Sequence, residues 1–123
     1  MGLDMYAFST KAKPKTEVDF ETNNFDPQEL HYWRKHPNLH GWMQNLYEAK
    51  GGESDSFNGD CVVLDNEDLD NLEADIKEGN LPDTAGFFFG NSDGSEDDGD
   101  LKFVEEARKA IANGLTVYYT SWW

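Results

Sequence analysis

Cysteine is nearly absent from this chain, with Cys61 the only one among 123 residues. An internal disulfide is therefore excluded, and a lone thiol points to a reducing compartment. Cys61 sits in the apolar run CVVL, where a small buried hydrophobe is a better reading than a nucleophile. Long apolar runs are also missing: no stretch approaches the roughly 20 apolar residues of a membrane span. The opening MGLDMYAFSTKAK lacks the basic start and apolar run of a signal peptide. A soluble cytoplasmic protein is expected, with no membrane partner. Basic residues are scarce, 10 against 25 acids, for a formal net charge of −15. Such a surface repels phosphates, so direct nucleic-acid binding is not expected. It suits a basic protein partner, divalent cations or the mimicry of a polyanion, and it also serves plain solubility. The nucleotide-binding patterns GxxxxGK[ST] and GxGxxG are absent, as is HExxH.

Aromatic rings are plentiful instead: eight Phe, five Tyr and four Trp. A chain this long fits a single domain over 1–123 and hides roughly two-thirds of its extended surface on folding. LDMYAFST (3–10) alternates as a strand covered on both faces, and TEVDF (16–20) reads as an edge-type strand. FDPQEL predicts a helix, with Asp26 as N-cap, Pro27 in the first turn and Glu29 completing a capping box; Leu30 and Trp33 give its apolar stripe. Pro37 ends that helix and opens a second carrying Leu39, Trp42, Met43, Leu46 and Tyr47, which stops at Lys50-Gly51-Gly52. CVVLD (61–65) is a buried strand; the next helix is capped at Asp65 or Asn66, directs Leu69, Leu72 and Ile76 inward and ends at Gly79. GFFFG (86–90) reads as a strand and 91–100 as a flexible acidic loop. A last helix puts Leu101, Val104, Ala107 and Ile111 on one face and closes at Gly114, before the strand LTVYYTSWW (115–123). The order implies an α+β (or small α/β) fold: one mixed sheet of about four to five strands with three to four helices.

All three histidines fall within HYWRKHPNLHGWM (31–43). His36 and His40 have the i, i+4 spacing of paired metal ligands, with His31 or Glu29 as a third, but Pro37 puts His36 outside the helix. No metal and no cofactor is expected, and the weak candidates are His36, His40, Asp93 and Asp97. In the acidic loop, Asp93, Ser95, Asp97 and Glu105 resemble calcium ligands, with the glycine displaced and the glutamate off by one. The histidines could serve as acid–base groups, yet nothing marks a nucleophile, and packing at a helix corner explains them better. Tyr32, Trp33, Arg34 and Trp42 could form a stacking pocket with Arg34 holding an anion. Trp122 and Trp123 are neighbours on a strand and point to opposite faces, so one ring must cover the far sheet face, a helix or a partner. The candidate binding residues are thus His31, Trp33, Arg34, His36, His40, Trp122 and Trp123.

With MGLDMYAF at the start, ELHYWRKHPNLHGWM, LPDTAGFFFG and the terminal YYTSWW, the chain resembles a family of small proteins encoded by bacteriophages and prophages. That family begins MGLDMY and carries a YWRK segment and LP-x-T-x-GFFFG before an acidic loop. Some relatives bear the name phosphoglycerate kinase, but this chain is much too short for that two-domain enzyme and has no matching site. The resemblance implies a phage-encoded accessory protein in the host cytoplasm. It would act without catalysis by binding a host or phage protein, possibly a basic one. The alternatives are a small enzyme or ligand-binding protein using the corner at 31–43, and an acidic DNA mimic.

Overall fold

The computed structural model describes residues 2–22, 25–82, 84 and 96–123. Among them are four strands and three helices: β1 (Asp4–Thr10), β2 (Gln28–Arg34), α1 (Pro37–Ala49), β3 (Cys61–Leu64), α2 (Asn66–Glu78), α3 (Asp97–Ala112) and β4 (Thr116–Trp122). The strands form one sheet in the order β2-β1-β4-β3, antiparallel at every pairing. This is a single small α+β domain. The expected GFFFG strand lies outside the described residues.

Three expectations are corrected. Residues 28–34 form a strand, not a helix: Asp26, the expected N-cap, has φ of 44°, in the left-handed region instead of the extended conformation a cap needs. The deciding contact is non-local, because this segment pairs with β1 from Asp4↔Arg34 to Ser9↔Gln28 around a bulge at Ala7/Phe8. Tyr32 and Trp33 also suit a pleated surface. Among the described residues the sheet is antiparallel and not mixed, since β3 lies beyond β4 and runs against it. Finally, the helix expected from residue 100 begins at Asp97, so part of the 91–100 stretch is its first turn, where Asp97, Asp98 and Asp100 complement the positive end of the helix.

The other helix signals match the structure. Pro37 opens α1 in the first turn. Asp65 caps α2 in a reciprocal capping box with Asp68, and Gly79 ends it at φ of 69°. α1 and α3 meet the inner sheet face, whose rows contain Met5, Ala7, Val117, Tyr119, Trp33, Val62 and Leu64. Trp33 stands edge-on to Phe103 of α3 with centroids 4.9 Å apart, and His40 of α1 bonds Tyr119 of β4. α2 joins the same core through Leu69, Leu72 and Ile76.

The described parts of the connection, residues 11–22 and 25–27, form a strap across the other, outer face. Val18 bridges Val62, with Val63 N–H donating to Glu17 and Asp19 N–H to Cys61, so the expected edge strand at 16–20 is reduced to one bridge along β3. Phe20 and Phe25 then come to rest on Tyr118 of β4, at 5.4 and 6.2 Å.

Phe103 is fully buried at the centre of the helix–sheet contact. Phe103→Ala should cost about 3–5 kcal/mol, read in urea melts as a lower midpoint with an unchanged slope.

Candidate functional site

The segment 31–43 runs through a strand, a corner and a helix start, and this divides its side chains. Strand alternation sends His31 and Trp33 to the inner face and Tyr32 and Arg34 to the outer face. Lys35 then adopts φ of 55° and donates its N–H to Leu3, which turns the chain into α1 with His36 at the N-cap. The stacking pocket of Tyr32, Trp33, Arg34 and Trp42 is therefore not assembled: Tyr32 and Arg34 lie across the sheet from Trp33, while Trp42 donates to Asp75 of α2 at 2.8 Å.

The inner half is organised by Asp100, which is fully buried. Its Oδ1 accepts from Trp33 Nε1 at 2.8 Å and its Oδ2 from His36 Nε2 at 2.7 Å. Strand β2, the start of α1 and the first turn of α3 thus converge on one carboxylate. His36 Nδ1 lies 3.8 Å from Glu96, and a pocket of about 140 Å³ opens beside it, lined by Asn38, Ile76, Leu81, Glu96 and Asp97. Burial pushes the Asp97 carboxyl above its usual range, helped by the neighbouring Asp100 and Glu96. His31 lies tilted against Trp33, with ring centroids 4.4 Å apart, and partial burial lowers its basicity.

His40 takes a different partner from His36. It is fully buried, and its Nδ1 shares a 2.7 Å hydrogen bond with the Tyr119 hydroxyl. Burial drives its pKa down to about 4 and raises that of Tyr119 well above the ordinary tyrosine value. His36 and His40 are thus committed to separate hydrogen bonds, and no group of three metal-ligating side chains occurs among the described residues. Asp93 and Ser95 lie outside those residues.

The outer half is a polar and aromatic patch. Tyr32 donates to Asp4 Oδ1 at 2.6 Å and Arg34 Nη1 bonds the same oxygen at 2.7 Å. The Tyr32 hydroxyl and the Arg34 guanidinium hold the Asp4 carboxyl below its usual range. Directly across the ladder from Asp4 stands Trp122, 68% exposed, and Tyr32 is 44% exposed. The two terminal tryptophans separate as strand geometry requires. Trp122 lies on the outer face against Gly59, while Trp123 meets His40 edge-on and is tied at N–H and carbonyl to the Asn58 side chain. Two contributors escaped the sequence reading, Asp100 and Asp4. Asp100 falls in phase with Phe103, Val104 and Ala107 on α3, a spacing that could have revealed it.

Comparison with family models, curated proteins and solved structures returns no match to this chain.

Two outcomes follow from the buried polar groups. Asp100→Ala leaves the Trp33 and His36 donors buried without their acceptor and should cost about 3 kcal/mol or more in chemical denaturation. Because His40 titrates near 4 when folded and near 6.5 when unfolded, its contribution is complete above pH 6.5 and is lost as pH falls toward 4. The loss amounts to about 3 kcal/mol. Denaturation melts across that range should show this slope flattened in His40→Gln, and the His40 ring signals should stay in the neutral form to about pH 4.

Proposed function

We propose that this chain is a non-catalytic accessory protein that acts by binding a host or phage protein through the outer sheet face around Trp122. The phage origin and the host-cytoplasm setting belong to this reading and rest on the sequence resemblance. The observation that carries the binding role is two large exposed rings, Trp122 and Tyr32, on the same sheet face as the Asp4–Arg34 ion pair. Aromatic rings with an arginine beside them are the side chains that most often dominate protein interfaces. The rings from the strap, Phe20 and Phe25, cover Tyr118 and leave the Trp122 end accessible.

Charge supports a basic partner. Exposed carboxylates occur on the strap, on α1, in the 51–60 connection and on α2 and α3, so a cationic surface meets favourable potential from many directions. This spread favours docking over mimicry of a polyanion, which needs its charges on one continuous face. The division of 31–43 between two sheet faces, with His36 and His40 buried, favours docking over a ligand site at that corner.

The test is affinity capture from bacterial host lysate with the intact chain beside Trp122→Ser and Tyr32→Ser. One specific protein retained by the parent should be depleted about tenfold or more by each variant, while both variants keep the parent melting temperature. Repeated capture of nothing specific, or retention unchanged in both variants, would sink the proposal.

A further inference from the structure

A second concentration of unused chemistry lies in the strap. Five cationic side chains pair with carboxylates among the described residues: Arg34, Lys50, Lys77, Arg108 and Lys109. Lys11, Lys13 and Lys15 are different. They crowd into five residues, all are exposed, and none pairs with a carboxylate among the described residues, although acids outnumber bases 25 to 10. Lys13 has one fixed bond, to the Gly114 carbonyl at 2.8 Å, which anchors it without neutralising it.

Lys13 and Lys15 border a pocket of about 530 Å³. Its lining includes Lys13, Lys15, Thr16, Phe20, Glu21 and Phe25. The two phenylalanine rings are nearly parallel, 15° apart with centroids 5.8 Å from one another, and both are braced from behind by Tyr118. The bracing holds this stacked pair in place as an apolar wall beside two cations. The volume falls in the range of roughly 300–1,000 Å³ usual for small-molecule sites. Two cations and one carboxylate suit a ligand with a single anionic group, a planar body and a hydrogen-bond donor for Glu21. They disfavour a polyanion.

We propose that this pocket is a binding site for a planar aromatic anion of the nucleoside-monophosphate class. The ring stacks on the phenylalanine wall and the anionic group lies between Lys13 and Lys15. The site is independent of the Trp122 patch, and neither depends on the other.

The test is a titration of the ¹⁵N-labelled full chain with AMP at low salt, with adenosine and inorganic phosphate as separate arms. AMP should give saturable shifts in the millimolar range or tighter, centred on Lys13, Lys15, Thr16, Phe20 and Phe25. Adenosine and phosphate should each bind about tenfold more weakly or worse, since each lacks one half of the recognition. Lys15→Glu should raise the AMP dissociation constant about tenfold or more. Phe20→Ala should weaken AMP and leave the phosphate response unchanged. Lys15 is exposed, so its variant carries the test even where the Phe20 variant fails to fold. Absence of saturable AMP shifts, shifts centred elsewhere, equal binding of AMP and phosphate, or indifference to Lys15→Glu would each overturn the proposal.

Discussion

A single carboxylate holds the architecture at its most demanding point. Asp100 is inaccessible to water and accepts from Trp33 and His36, so β2, the α1 entrance and α3 share one acceptor. A buried carboxylate with both oxygens engaged is tolerated because its partners replace the lost hydration. The geometry also fixes orientation. Trp33 can reach Asp100 only if β2 keeps the register that sends residue 33 inward, and that register sends Tyr32 and Arg34 outward. The buried inner contact and the exposed outer patch are thus two consequences of one strand register.

Elsewhere polar side chains tie neighbouring elements together in smaller groups. Lys50 closes the α1 end by donating to Val63 O at 2.7 Å and Asp68 at 2.6 Å, and Asp68 is the residue that completes the α2 capping box. Tyr47 donates to Asp19 and accepts from Ser54 N–H, joining α1 to the strap and to the 51–60 connection. Gly52 makes this approach possible, because a Cβ there would clash with the Tyr47 ring. Phe57, with φ of 48°, completes the ring cluster of His40, Tyr47 and Tyr119.

Much of this was legible in sequence wherever the determinant was local. Pro37, the Asp65 cap, Gly79 and Gly114 punctuate helices in the expected places, and the alternation of LDMYAFST and of the final strand needed no distant information. The failure at 26–34 has a clear cause. Asp26, Pro27 and Glu29 satisfy every helix-start rule, but those rules describe what a segment prefers alone, while β1 offered it a whole ladder of hydrogen bonds. The candidate site was half visible for the same reason. Residues 31–43 carry the conspicuous side chains, whereas Asp100 and Asp4 arrive from distant parts of the chain, and only pairing and packing bring them there.

The strap along β3 has one more consequence. By pairing Glu17–Asp19 with that strand, it occupies one border of the sheet. Among the described residues β2 is the border that carries no such strap, so addition of a foreign strand, or edge-to-edge joining of two copies into a closed pair, would use the β2 side.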